Sequence, residues 1–300
     1  MEPISPVGRL AGAPISWGVC EVPGWGLQLD RERVFAEIHA LGLHAAEAGP
    51  GGYLPADPVE ARELLARLGL ELVGGFLPLV LHDPGVAQEQ LAAAEAKLDW
   101  FASAGAGVLV TAVVVDEGWA PRFELAPEQW AHLLRMLDRL SGLSAERGLV
   151  QAVHPHVGTL VETAADTQRV LDGCAAGLCL DTGHLMIGGA DPAALAVAYP
   201  ERFVHVHLKD VDRSLAGRVA RGELSLMAAT QQGLFRPLGA GDAPIAEVIG
   251  ALERSGYSGW VVLEQDCALT GEPSPGAGPA EEVQRSLDYL RALAGERPPA

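Results

Sequence analysis

The chain has 300 residues, a length that suits one large barrel or two modest domains. Hydrophobic residues make up 49% and charged residues 20%, close to the globular average, which excludes a disordered or low-complexity chain. With 21 basic residues against 39 acidic ones the net charge is −18, and so acidic a surface argues against nucleic-acid and membrane partners.

Met1–Leu10 carries two prolines and no apolar core, which predicts no secretory leader. No apolar run reaches the roughly 18 residues that a membrane span needs. Cys20, Cys174, Cys179 and Cys267 form no C-x-x-C pair. They read as reduced, mostly buried thiols of a cytoplasmic protein.

Along the chain a unit of roughly 30–40 residues recurs: an apolar β-type run, a loop, then an Ala/Leu/Glu-rich helical stretch. The β-runs are Ala13–Trp17, Leu43–Glu47, Leu70–Leu77, Val108–Val114, Val150–His154, Leu178–Asp181, Phe203–Leu208 and Trp260–Glu264. Helical patterns follow at about 30–41, 57–68, 86–104, 127–147, 163–173, 191–198, 243–255 and 280–294. Asp30, Asp57-Pro58, Asp191-Pro192 and Asp242 supply start signals. Eight such units predict a single (β/α)8 TIM-barrel domain over 1–300. A doubly wound sheet is the weaker reading, because no G-x-G-x-x-G follows the first run. Ser214–Phe235 is too long for a simple connection and predicts a lid or an extra helix, and the Trp119–Phe123 loop is a second candidate lid.

The histidines are not scattered. Of nine, six (His82, His154, His156, His184, His205, His207) fall at or just after the C-terminal end of a β-run, where a barrel carries its active site. Glu47 closes the second run, Asp181 the sixth and Glu264 the eighth, with Asp266 on the same side. His205 and His207 share one face of the seventh, because side chains alternate with period two. Each piece has an ordinary structural alternative: a strand-end acid often caps the next helix, and a lone histidine is often a bonded core residue. Together, Asp-x-x-His, His-x-His and Glu on three consecutive units are far more specific. Buried carboxylates and imidazoles need compensation, and a divalent cation supplies it. The mixed donors suit Mn²⁺ or Co²⁺ best, with Zn²⁺, Fe²⁺ or Mg²⁺ as alternatives.

The motifs Leu180-Asp181-Thr182-Gly183-His184, His205-Val206-His207-Leu208-Lys209-Asp210 and Val262-Leu263-Glu264 resemble those of the xylose-isomerase-like barrels. Ile15-Ser16-Trp17-Gly18, Glu47 through Pro55, His154 through Thr159, Pro237 through Asp242, and Gly256 through Asp266 are similar to inosose dehydratases. The resemblance implies a metal-dependent lyase of inositol catabolism that dehydrates 2-keto-myo-inositol through a metal-stabilised enediolate. It implies Asp181, His207 and Glu264 as metal ligands and makes His184 a neighbour of the metal. Arg213 matches a substrate-contacting arginine. Where related barrels carry a fifth-strand glutamate, this chain has Ala152 with His154 and His156 above it. His154 is the favoured fourth ligand, then His156, with Glu162 weaker.

His154, His156 and Glu47 are candidate bases, and His184 and Lys209 candidate groups for orienting hydroxyls or protonating the leaving group. Trp17 and Tyr53, with Trp25 and Trp119, are candidate walls of a polyol pocket. A metal-dependent ketose isomerase or epimerase is the nearest rival, since it shares the enediolate. An endonuclease conflicts with the acidic charge, and a non-catalytic sugar-binding barrel conflicts with an intact ligand set. A homo-oligomer is an expectation from analogy alone.

Overall fold

The structure, a computed structural model, describes residues 9–295. Its strands are β1 (Leu10–Gly12), β2 (Ala45–Ala46), β3 (Glu71–Leu72), β4 (Gly74–Leu79), β5 (Val108–Val113), β6 (Val150–Val153), β7 (Gly177–Asp181), β8 (Phe203–Leu208), β9 (Asp210–Val211), β10 (Phe235–Arg236) and β11 (Val261–Leu263). Nine pair in parallel in the order β3-β2-β1-β11-β8-β7-β6-β5-β4. The two ends of that order are one stave, because only Val73 separates β3 from β4. The Val73 N–H donates to Ala46 on one side, and its carbonyl accepts from Gly107 and Val108 on the other. Counting that pair once, the ring has eight staves and is closed, as the repeating unit predicts.

The helices are α1 (Arg31–Ala40), α2 (Pro58–Arg67), α3 (Ala87–Ala104), α4 (Pro127–Ala145), α5 (Ala164–Gly173), α6 (Thr182–Ile187), α7 (Pro192–Ala198), α8 (Arg213–Ala220), α9 (Leu226–Gln231), α10 (Ile245–Ser255) and α11 (Pro279–Leu293). Asp30, Asp57 and Asp191 cap α1, α2 and α7 by accepting from first-turn N–H groups. Asp242 caps nothing on α10; its carboxylate accepts instead from the Arg213 N–H at 2.9 Å. No helix among the described residues is long and apolar enough to cross a membrane.

The first β-run is displaced from its expected place. The strand is Leu10–Gly12, and Pro14–Trp17 is a 3₁₀ turn. Pro14 has no N–H to give the ladder and its fixed φ suits the first position of a helical turn. Gly18, at φ 81°, then ends the turn: its N–H donates to the Ile15 carbonyl and that of Val19 to the Pro14 carbonyl. Ser214–Phe235 folds as α8 and α9 and returns through β10, which pairs antiparallel with β9. It has its own apolar cluster of Val211, Ala216, Val219, Ala229, Leu234 and Phe235.

The main core lies between barrel and helices, with Leu109, Leu133, Leu137, Leu180 and Leu208 fully enclosed. Inside the barrel the filling is small: Ala11, Ala13, Ala45, Val73 and Val262. Ala45 lies two residues before Glu47 and Val262 two before Glu264, so the inward face passes from apolar floor to polar mouth along each stave.

The mouth is braced by Asp210. Its buried carboxylate accepts from the Gly239, Gly241 and Ala243 N–H groups at 2.8–3.0 Å and from the neighbouring Val211 N–H at 2.9 Å. A side chain on Gly241 would collide with that carboxylate. Replacing the carboxylate with an amide turns one acceptor into a donor facing donors. Asp210→Asn is therefore expected to cost about 2 kcal/mol or more, read as a lower urea midpoint with unchanged slope.

Candidate active site

Parallel pairing sets the site. The register places Asp181 of β7 opposite His207 of β8, and His207 opposite Val262 of β11, two residues before Glu264. The three functional side chains therefore converge at the C-terminal mouth. His207 Nδ1 lies 2.6 Å from Glu264 Oε2 and 3.6 Å from Asp181 Oδ2. His207 Nε2 lies 3.1 Å from Glu47 Oε1, which also receives His205 Nε2 at 2.9 Å. All five residues are buried.

Lys209, wholly buried, lies 2.7 Å from Glu264, 2.6 Å from Asp266, 3.5 Å from Asp181 and 3.0 Å from His184 Nε2. Gly183 makes room for it: a Cβ there would press on the lysine stem at 2.7–3.0 Å. Asp181 also caps α6 by accepting from the His184 N–H at 2.7 Å. His154 Nε2 lies 3.3 Å from Asp181 Oδ2. His156 stacks on His184 with ring centroids 3.8 Å apart and bonds the Val157 carbonyl through Nδ1 at 2.8 Å.

Burial works against every charge here, and the neighbours decide which survive. Burial alone would raise Asp181 and Glu264, but Lys209 and the imidazoles hold both well below the carboxylate range. Glu47, beside His207 and His205, is held down to about 2 against the same penalty. Asp181, Asp266 and Glu264 keep Lys209 charged despite its burial. Asp266 goes the other way: burial and Glu264 push it up to about 7 in spite of Lys209. Burial keeps His154, His184 and His205 neutral and takes His156 down to about 3. His207 moves up, because the carboxylates of Glu264, Glu47 and Asp181 outweigh its burial.

Three sets of donor atoms lie close enough to share an ion, each within 4.8 Å: Asp181–His207–Glu264, Glu47–His205–His207 and His154–Cys179–His207. Chemistry separates them. In the second, both ring nitrogens already donate to Glu47. In the third, burial pushes the Cys179 thiol up to about 11, so it offers no thiolate. In the first, His207 Nδ1 has no aligned hydrogen bond despite its short contact and faces only carboxylate oxygens. A buried ring nitrogen among anionic oxygens, carrying a proton that a cation can displace, fits a divalent cation. His154 approaches that set through Asp181.

The cavity above this cluster holds about 360 Å³. Glu47, His154, His156, His207, Glu264 and Asp266 face it, and Val19, Trp25, Phe76 and Trp119 give it apolar walls. Ser225–Met227, around the start of α9, roof it, so the long segment after β8 covers the site as its length predicts. Phe76 and Trp119 stack at 6.3 Å and also line a second cavity of about 490 Å³ beside the first. Trp119 is held at φ 58°, a strained setting for a bulky residue and one typical of functional loops.

Three expected substrate contacts are not in this cavity. Trp17 is fully enclosed in the core, where its indole N–H donates to Glu37 at 2.8 Å. Tyr53 packs on Phe35 and donates its hydroxyl to the Leu29 carbonyl at 3.1 Å. Arg213 begins α8, and its side chain, 71% exposed, points to Asp242. Glu162 is also outside, accepting from the Gly158 N–H. His82 lies away from the cluster against Phe123. Val19, Phe76 and Asp266 are among the lining residues that had no expected role. Asp266 carried a signal, two residues past Glu264 on one face; Phe76 carried none.

The profile of the family described as xylose isomerase-like TIM barrel matches residues 35–293. The inosose dehydratase of Geobacillus kaustophilus is 30% identical over 95% of this chain and 96% of its own. The chain is a member of the inosose dehydratase family. The rhizopine catabolism protein MocC of Rhizobium meliloti is 32% identical over 86% of this chain and 81% of its own. Among solved structures, D-allulose 3-epimerase from Methylomonas sp. superposes with a TM-score of 0.68 at 16% identity, covering 95% of this chain and 97% of that one. The IOLI protein with a binding zinc atom gives 0.66 at 18%, covering 96% and 98%. These two share the fold. This member of the family carries Asp181, His207 and Glu264 at its strand ends, with His154 at the mouth above Ala152.

The buried imidazoles set a pH response for the metal-free protein. Below pH 6.5 the unfolded chain takes up protons that His154, His156, His184 and His205 refuse when folded, so stability falls with pH. Asp266, raised to about 7, and His207, also raised, oppose this, two groups against four. The urea midpoint in chelator is expected to be lower at pH 5.5 than at pH 7; an equal or higher midpoint would mean these histidines are already charged in the fold.

Proposed function

We propose that the protein is a divalent-cation-dependent dehydratase of a cyclic keto-polyol, 2-keto-myo-inositol, acting in inositol catabolism in the cytoplasm. One observation carries the reading. Within a member of the inosose dehydratase family, Asp181, His207 and Glu264 bring anionic oxygens and an unbonded imidazole nitrogen together at the floor of a cavity sized for a small ring. Those three residues would hold the cation, with His154 as the fourth ligand from β6. Mn²⁺ or Co²⁺ is our assignment. A bound cation supplies a Lewis acid for the negative charge that develops on the ketone oxygen as the α-proton leaves.

The chain's own residues do the rest. Trp25, Phe76 and Trp119 pack the C–H faces of the ring and keep water out, while the hydroxyls meet His154, His156, Glu264 and Asp266. His156 commits Nδ1 to the Val157 carbonyl, which leaves the Nε2 lone pair to take a proton from the carbon next to the ketone. Asp266, held by Lys209, is the acid placed to protonate the hydroxyl leaving the next carbon. Loss of that proton and hydroxyl as water leaves an enol, whose hydroxyl-bearing carbon becomes the second ketone. Lys209 and His184 keep the carboxylates in place from below.

The test is diketone formation from 2-keto-myo-inositol, followed by ultraviolet absorbance, with chelator-treated protein before and after Mn²⁺ or Co²⁺. Activity is expected to vanish with chelation and return with the ion. Asp181→Ala and Glu264→Gln are expected to lose ion retention and at least about 1,000-fold in kcat/KM, the scale of several kcal/mol of charge stabilisation. Full turnover by ion-free Asp181→Ala would overturn the mechanism. Turnover of an open-chain ketose but not of the inosose would move the assignment to an isomerase or epimerase.

A further inference from the structure

Glu47 faces the cavity, and a carboxylate there reads as a base. Its hydrogen bonds point elsewhere. Oε1 receives His205 Nε2 at 2.9 Å and His207 Nε2 at 3.1 Å, both buried contacts. A carboxylate oxygen only accepts, so both rings carry their hydrogen on Nε2. For His207 that choice decides the other nitrogen. Nδ1 then faces Asp181 and Glu264, and its proton is the one an incoming cation displaces, leaving the ring neutral with its hydrogen on Nε2. The ring is thereby turned edge-on to the ion site in the one tautomer that can ligate through Nδ1.

The surroundings make this arrangement rigid. The Glu47 N–H is fixed in the ladder by the Gly12 carbonyl at 3.0 Å. Beneath it, Ala11, Ala13 and Ala45 leave space inside the barrel, and His205 fills it, fully enclosed. His205 Nδ1 has no partner, so Glu47 is its polar anchor. The three residues form a bonded unit that spans the barrel from β2 to β8.

We propose that Glu47 is a positioning residue: through paired hydrogen bonds to His205 and His207 it sets the tautomer and orientation in which His207 binds the divalent ion. The proposal rests on the ion site assigned above but not on the substrate. It makes Glu47 part of the ion site's support and leaves proton transfer to other groups. Outer partners of this kind typically change metal affinity by about 10–100-fold.

The test measures Mn²⁺ affinity directly, by calorimetric titration of the metal-free protein, alongside kcat at saturating Mn²⁺. E47A removes both bonds and is expected to weaken binding by about 10–100-fold. E47Q keeps an oxygen that can accept the same two N–H groups. It is expected to bind better than E47A and to retain most of kcat once saturated. With Zn²⁺ in the ion site, nitrogen-15 spectra of labelled histidine are expected to show His207 protonated at Nε2 in the unaltered protein, with the other tautomer growing in E47A. If E47A unfolds, E47Q alone still decides: a base cannot survive conversion to an amide, whereas a hydrogen-bond acceptor can. Unchanged Mn²⁺ affinity with kcat collapsing in both variants would overturn the proposal in favour of a base. Weakened binding in E47A, with no diketone formed by the unaltered protein, would support Glu47's role and fell only the substrate assignment.

Discussion

One imidazole organises the site. His207 lies within 3.6 Å of three carboxylates from three different strand ends, Glu47, Asp181 and Glu264. No two of these acids are near one another in sequence. β7 and β11 flank β8 directly, and the curvature of the barrel brings the end of β2, three staves away, across to it, so the site depends on the sheet being rolled into a barrel. Slipping β8 by one residue would turn His205 and His207 outward into the apolar layer, where neither could be satisfied.

So dense a set of acids would repel itself without a resident cation, and Lys209 is that cation. It comes from the residue just beyond β8, passes the missing side chain of Gly183 and reaches Glu264 and Asp266. The neighbouring Asp210 faces the other way and ties down the Gly239–Ala243 turn. Neighbouring residues thus serve different layers: His207 the proposed ion site, Lys209 its charge balance, Asp210 the loop that frames the mouth.

The sequence carried much of this and missed the rest for definite reasons. Period-two alternation made the inward histidines of β8 readable, and the repeated unit made closure readable. The helices fell within a few residues of their expected spans because caps such as Asp57 and Asp191 mark their starts. Direction off the strands was not readable. Trp17 lies in a motif beside the mouth, but the turn begun by Pro14 swings its indole to Glu37 in the outer layer. Arg213 follows β8 closely, yet it opens α8 and projects to solvent. Phe76 is an ordinary strand aromatic in sequence and becomes a pocket wall only because Trp119, across the mouth, stacks on it. Glu47 was readable as a site residue, but not as a partner of two histidines roughly 160 positions away.

The fixed charge of Lys209 also bears on how the protein lives with changing ion supply. Small domains built around a structural metal unfold when it is withdrawn, because nothing else balances their ligands. Here a built-in ammonium already offsets Asp181 and Glu264, and the main apolar core is complete without the site. Assembly of the barrel and loading of the ion are therefore separable events. With the ion site assigned as proposed, the ion-free chain is expected to keep its fold and to take the ion up again without refolding.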